Sequence, residues 1–299
     1  MGLTRSTKDT IIRSLTAMSV MLILFITISM LAVIFVGGWK HLTWEFLSEF
    51  PKEGMTKGGI FPAIVGTAMM TLIMTIAAVP FGAITAIYLA EYASEKSVVA
   101  RSIRFAVKTL AVVPSIIFGL FGLGFFIKFV GVNMDNLLFH GDLHWGQPNI
   151  LWASLTMALL TLPIVIVSVE ESIHTVPREV REASLALGAT KWQTIKKVVL
   201  PGSITGILTG TILAISRGAG EVAPILFTGA AYYLAELPNS PTSQFMSLGY
   251  HIYIMSTQST NVDETLPIQF ATTLVLLLLT FSLSMIAVIL RHRIRKKAR

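Results

Sequence analysis

The chain of 299 residues is 54% hydrophobic and only 13% charged, with a mean hydropathy of +0.73, whereas soluble domains carry about a quarter charged residues. These values indicate a polytopic membrane protein, and placement of the net charge of +7 relative to the membrane matters more than its sum, so nucleic acid is set aside as a partner. With no cysteine in the chain, thiol catalysis, disulfide frameworks and cysteine-based metal sites fall away.

Apolar runs of roughly 20 or more residues, the length that crosses a hydrocarbon core about 30 Å thick, occur at 14–36, 61–90, 105–130, 150–169, 203–228 and 266–290. The expected fold class is an all-α membrane protein with six transmembrane helices. The first run is too long, and too poorly followed by a small-residue cleavage site, to be a removed signal peptide, so it reads as a retained span. With the amino terminus inside, Arg5, Lys8 and Arg13, then Lys96, Arg101, Arg104 and Lys108, then Arg178, Arg181, Lys191, Lys196 and Lys197, and last the basic residues of 291–299 fall on the cytoplasmic side. These are 18 of the 23 lysines and arginines, and by the positive-inside rule they put both termini in the cytoplasm. The basic tail then reads as a topology anchor on anionic lipid.

Among the outer connections, residues 37–60 hold Trp39, Trp44, Phe46 and Phe50, which suits a helix lying at the membrane surface. Residues 131–149 are short and polar, and 229–265 are long enough to receive a partner. Prolines punctuate the spans at Pro80, Pro114, Pro163 and Pro224 and permit kinks. Gly119, Gly122 and Gly124 in the third span are read as close-packing positions.

The fifth span combines small residues and charge. Gly202, Gly206 and Gly210 recur every four residues, and on a continuous helix they fall within about a quarter of the circumference together with Arg217, Glu221 and Pro224. Such a face lets another helix approach closely. An isolated charge at mid-bilayer costs about 3 kcal/mol on insertion scales, so Arg217 and Glu221 require an explanation. One reading is an i, i+4 ion pair that neutralises itself and fixes packing. The other is that Arg217 faces an aqueous pathway and meets a passing anion, with Glu221 positioning or competing for it, since the guanidinium fork suits an oxyanion. The physics leaves both open.

Residues 171–202 read as two helical pieces broken near Gly188. Their basic residues would allow the loop to rest on lipid, but Glu170, Glu171, Glu179 and Glu182 oppose an anionic surface and favour docking to a soluble cytoplasmic protein. No G-x-x-x-x-G-K-[ST] occurs, so the chain cannot cradle ATP in a P-loop. His140, Asp142 and His144 have metal-binding residue types, but they lack a fourth ligand and read as ordinary polar loop, as does His174.

Glu182-Ala183-Ser184, three residues, Gly188, nine residues, then Val198-Val199-Leu200-Pro201 resembles the EAA loop of ABC importer permeases, E-A-A-x3-G-x9-I-x-L-P. Around it, Gly66-Thr67, residues 79–93 (V-P-F-G-A-I-T-A-I-Y-L-A-E-Y-A), 113–122 (V-P-S-I-I-F-G-L-F-G), 216–226 (S-R-G-A-G-E-V-A-P-I-L) and 247–253 (S-L-G-Y-H-I-Y) are together similar to the phosphate importer permeases, closer to the PstA-type than the PstC-type subunit. Val222 stands where threonine is usual. The resemblance runs from about residue 61 to the end, which suggests a division into an N-terminal helix with an outer interfacial segment (1–60) and a permease core (61–299). It implies a type I importer permease in a bacterial or archaeal cytoplasmic (inner) membrane. It further implies that Glu182, Ala183, Gly188, Leu200 and Pro201 couple to an ATPase and that Arg217 and Glu221 line the substrate path. The implied partners are a PstC-type permease in a heterodimer, two cytoplasmic ATPase subunits that hold ATP and magnesium, a soluble phosphate-binding protein, the phosphate anion and membrane lipid. On this reading the chain holds no cofactor and is not an enzyme. The rivals are a permease for another oxyanion, a secondary anion transporter driven by a proton on Glu221, and a subunit that signals phosphate status.

Overall fold

The computed structural model describes residues 5–52, 55, 57–94, 96–234, 236–259 and 262–297; Arg299 of the basic tail lies outside them. Among the described residues, six helical segments are long and apolar enough to cross a membrane: Asp9–His41, Phe61–Tyr92, Ser115–Leu138, Ile150–His174, Lys191–Gly218 and Thr265–Arg293. Helix α1 (Arg5–Gly38) is followed by a short helix α2 (Trp44–Ser48), capped by the Thr43 hydroxyl, and by an antiparallel pair of two-residue strands, β1 (Pro51–Lys52) and β2 (Lys57–Gly58). The surface helix expected over 37–60 is therefore only about a turn and a half, followed by this pair of strands. Then come α3 (Phe61–Ile87), which ends in a π-helical turn at Tyr88–Tyr92, α4 (Val98–Val112), and α5 (Ser115–Phe121), which runs on through Gly122–Gly131 into α6 (Val132–Leu138). After α7 (Ile150–His174) and α8 (Arg178–Ala186), α9 (Lys191–Thr194) continues through Ile195–Val199 into α10 (Leu200–Gly218). Helices α11 (Leu248–Thr257) and α12 (Val262–Lys297) complete the chain.

Helix α7 is the central post. The Asn149 side chain caps it by accepting from Trp152 N–H at 2.8 Å, and Ala153, Met157, Val165, Val169 and Ile173 are fully buried along it. Its interior hydroxyls, Ser154, Thr156 and Thr161, donate to their own helix's carbonyls at 2.7, 2.8 and 3.0 Å, so these three polar groups are satisfied within the helix. Helices α3 and α10 pack along its length. Helix α1 stands to one side against α12, where Gly38 leaves room for the Ala271 backbone.

The third, fourth and fifth spans differ from their sequence reading in ways that move candidate residues. The fourth runs on to His174, so Glu170, Glu171 and His174 lie on α7 and not in the loop. The third does not run unbroken from 105. Val113, extended at ψ 131° as residues before proline tend to be, and Pro114 separate α4 from α5. Helix α4, with Arg101, Arg104 and Lys108 on it, is an amphipathic helix preceding the span. The fifth helix stops at Gly218, ten residues short of the expected end. Gly218 and Gly220 are weak helix formers, and Pro224 lacks the donor and sterically opposes the helical position of the carbonyl four residues before it. Glu221 and Pro224 therefore lie beyond the helix and do not share its face.

At the end of the bundle away from α8, the buried Asp135 carboxylate gathers the 144–146 loop, accepting from the N–H groups of His144 at 3.0 Å, Trp145 at 2.8 Å and Gly146 at 2.6 Å. The histidine-rich turn is thus held by its backbone, with the His144 ring 4.4 Å from Phe139. His251 on α11 is 3% exposed, with Nδ1 3.5 Å from the Thr272 hydroxyl, and burial pushes its pKa from 6.5 down to about 4. The unfolded chain takes up a proton near pH 6.5 that the folded chain refuses, so stability falls as pH drops from 6.5 towards 4, by about 3 kcal/mol in total. Thermal unfolding of the purified protein should show a midpoint that declines across that window, and His251→Gln should flatten the decline. An identical pH profile in the two proteins would contradict the buried neutral ring.

Candidate functional site: an interrupted span and its cleft

The end of α10 sits deep in the bundle. The face of Gly218 is filled by the Met74 thioether of α3, and a Cβ there would lie 3.6 Å from Cγ2 of Thr161, near the midpoint of α7. The helix therefore stops about halfway along the post. Residues 219–229 carry the chain the rest of the way as successive turns, and Asn149 N–H at the start of α7 donates to Thr228 O at 2.9 Å. Irregular backbone at this depth is tolerated only when its polar groups are satisfied within protein or by water in a cavity. Here the turns bond internally, Ile225 N–H to Val222 O at 3.1 Å and Thr228 N–H to Ile225 O at 3.2 Å.

Three glycines, two on α5 and its continuation and one on α11, make room for this segment. A Cβ on Gly119 would lie 3.0 Å from Pro224 Cα, on Gly122 2.6 Å from Thr228 Cγ2, and on Gly249 2.9 Å from Val222 Cγ2. One turn of α3 fixes the neighbouring strand-like stretch: Gly66 lets Met246 O approach, and Thr67 Oγ1 accepts from Leu248 N–H at 2.9 Å. The short motifs at 66–67, 113–122, 216–226 and 247–253, scattered in sequence, meet around one break. Residues 79–93 join them through Gly82, where a Cβ would lie 2.6 Å from Val165 Cγ1.

Arg217 occupies the last turn of α10, where a cation is favoured by the helix dipole. Its Nε is 3.7 Å from Glu221 Oε1, and the two side chains are 41% and 25% exposed. That separation exceeds hydrogen-bonding distance, so the two are in ionic contact without a hydrogen bond. The Arg217 side chain lines a cleft of about 560 Å³ between α4, α7 and α10, whose polar lining also includes Lys108, Ser168, Glu171 and Thr209. From Leu160 to Glu171, both on its wall, the cleft extends about 16 Å along α7 towards the α8 end. The Arg291 guanidinium of α12 reaches Thr209 Oγ1 at 3.2 Å. A smaller hollow, about 290 Å³, lies among residues 40–60 and Ile268, away from Arg217.

Arg217 contacts Glu221 and also lines a cavity, so the geometry leaves both sequence readings of it open. From sequence, Lys108 reads as a basic residue of the cytoplasmic side and Glu171 as a carboxylate of the loop, and neither is assigned to the substrate path. The reading of 105–130 as one span hid the amphipathic face of α4, and Pro114 was the signal that could have exposed it.

Beyond the cleft, α8 and α9 form a bent pair. Gly188 turns the chain at φ +83°, and a Cβ there would meet no atom within 4 Å, so the requirement is conformational. Thr190 opens α9 with a reciprocal capping box to Gln193, and the hydroxyls of Ser184 and Thr194 bridge the two helices at 2.9 Å. Glu182, Ala183 and Pro201 are exposed and Leu200 is half-buried, while Leu187 at the bend is 89% exposed. Gly206 and Gly210 lie against Ser172 and Ser168 of α7, and Gly202 against Val176, two residues past its end. There Ser172 and Ser168 donate to Ser203 O at 3.0 Å and Gly206 O at 3.2 Å, so the close-packed partner helix belongs to the same chain.

Comparison with known proteins agrees with this architecture. The chain is 30% identical to the probable ABC transporter permease protein YqgI of Bacillus subtilis (strain 168), over 75% of this chain and 71% of that one. It is 31% identical to the phosphate transport system permease protein PstA of Pasteurella multocida (strain Pm70), over 75% and 74%. It is 40% identical to PstA of Yersinia pestis, over 61% and 57%. In fold it is similar to a chain of a bacterial ABC transporter involved in the import of the acidic polysaccharide alginate, with a TM-score of 0.67 at 14% identity over 96% of each chain. A chain of the MetNI methionine ABC transporter in an inward-facing conformation gives a TM-score of 0.55 at 18% identity over 79% and 94%. The family described as binding-protein-dependent transport system inner membrane component matches residues 78–296, and the chain belongs to that family, as a multi-pass permease component of an ABC transporter that is not itself catalytic.

Proposed function

We propose that the chain is a membrane-spanning permease subunit of an ATP-driven importer of inorganic phosphate and forms half of an alternating-access path. The observation that carries this reading is the Arg217 guanidinium, held halfway through the bundle where α10 stops and lining a cleft that extends towards the α8 end. A planar fork of donors lining a cleft suits a tetrahedral oxyanion, and Glu221, in loose contact, keeps the arginine from becoming a trap. A path needs contacts weak enough to release what it passes. The relatives named as PstA permeases support phosphate as the anion. The family favours ATP-driven import over a proton-driven carrier.

On this reading α8 and the bend at Gly188 face the cytoplasm, both termini lie on that side, and the membrane is the bacterial inner membrane. Glu182, Ala183, Gly188, Leu200 and Pro201 present the loop to an ATPase, and the exposed Leu187 and carboxylates offer it a mixed apolar and acidic surface. ATP and magnesium belong to two such ATPase subunits. A PstC-type permease supplies the other half of the path, and a soluble phosphate-binding protein delivers the anion from outside. Residues 61–299 form the permease core, and 1–60 attach at its edge through α12.

Arg217→Gln, in liposomes holding the assembled transporter, ATP and binding protein, should lower uptake of labelled phosphate by about 10- to 100-fold, the scale of a lost charge-assisted contact. The complex should still co-purify. Unaltered uptake would return Arg217 to a packing role. Gly188→Pro fixes φ near −65° where the chain needs +83°, and should strip or uncouple the ATPase; normal co-purification with normal uptake would contradict the coupling role. Gly188→Ala should be milder, with a cost of about 1 kcal/mol for the left-handed backbone.

A further inference from the structure

Three cations from three different helices converge on the π-helical turn that ends α3. Arg104 of α4 donates to Leu89 O at 3.0 Å and to Glu170 of α7, also at 3.0 Å. Arg181 of α8 lies 3.3 Å from the Glu91 carboxylate, with the two side chains 19% and 10% exposed, and donates to Ile173 O near the end of α7 at 2.6 Å. Lys191 of α9 places its ammonium 4.9 Å from the centre of the Tyr92 ring. Both arms of the bent α8–α9 pair are thereby fastened to five residues of α3. A surface loop that only had to be tethered would not need a largely buried ion pair, which is costly to desolvate and strongly destabilising to break from one side.

Helix α3 connects that turn to the break. Gly82 lets it lie flush against Val165 of α7, Met74 fills the face of Gly218, and Gly66 with Thr67 holds residues 246–248, which adjoin the irregular segment. A displacement of α8 cannot leave the end of α3 in place without separating Arg181 from Glu91. A shift of α3 would in turn move Met74 against Gly218. We propose that Glu91 and Arg181 are positioning residues that form the joint through which movement of the loop reaches α3 and, along it, the interruption beside Arg217. The proposal rests on the reading of the loop as the ATPase-docking element and adds the internal linkage.

The absence of cysteine from the chain permits a direct test. A Cβ on Gly220 would meet no atom within 4 Å, so Gly220→Cys supplies a reporter at the break. In the transporter assembled with its partner permease and ATPase in liposomes, the labelling rate by a water-soluble maleimide is compared without nucleotide and with ATP and vanadate. The G220C chain should change rate with ATP. Adding Glu91→Gln should shrink that change by about tenfold, within the range by which residues along a coupling route alter it. Glu91→Arg combined with Arg181→Glu should restore it to within about twofold, which a merely structural loss would not allow. A Glu91→Gln chain that responds like its parent, an exchanged pair no better than Glu91→Arg alone, or a G220C chain indifferent to ATP would each overturn the joint. Phosphate uptake read in parallel separates the two claims: no uptake with intact ATP-dependent labelling would discard phosphate and keep the joint, and a chain that recruits no ATPase would end both.

Discussion

A helix that stops about halfway along its packed neighbours, inside a membrane bundle, leaves carbonyl groups and a change of chain direction where no lipid can satisfy them. The rest of the structure is arranged to make that stop tolerable. The turns of residues 219–229 bond among themselves, Gly119, Gly122 and Gly249 clear space for them, and Asn149 N–H closes the segment onto the start of α7. The negative end of the α10 dipole meets Arg217, and Glu221 balances the arginine at 3.7 Å. Because the stop is surrounded by protein on α3, α5 and α7, the side carrying Arg217 is free to open into a cleft.

The same packing that supports the break also ties it to the loop. Helix α7 is held to α10 by Ser168 and Ser172, which donate across a seam of glycines, and α3 lies along α7 with its two ends joined to different things. One end grips residues 246–248 through Thr67, and the other receives Arg104, Arg181 and Lys191. Close-packed helices with few voids transmit displacement in preference to absorbing it, so a movement imposed at Gly188 has a short mechanical route to Gly218. Alternating access needs such a route, with two arrangements whose balance a soluble partner can bias.

The six spans, the bent loop at Gly188 and the approach of Glu221 to Arg217 were legible in the sequence because each rests on composition, motif or spacing. The end of α10 was not. Residues 219–228 are almost as apolar as those before them, and hydropathy does not separate a helix from turns buried in protein. Gly218, Gly220 and Pro224 held the information, but a proline within a span usually reads as a kink. Likewise the run from Phe105 was apolar enough to mask the division at Pro114, and the charges at Glu170 and Glu171 ended the fourth span at 169 in the sequence although α7 runs on to His174. The Glu91–Arg181 pair joins distant segments, and no local pattern in a single sequence marks it.

The account depends most on water reaching mid-span along the cleft. Leu213, one turn from Arg217 on the same wall and 48% exposed, offers the direct probe. In the assembled transporter, a Leu213→Cys chain is treated from the loop side with a membrane-impermeant anionic thiol reagent, with and without phosphate. The account predicts modification that phosphate slows. A thiol that the reagent does not reach under any nucleotide condition would contradict the aqueous path, and one modified at a rate indifferent to phosphate would contradict the anion's presence beside Arg217.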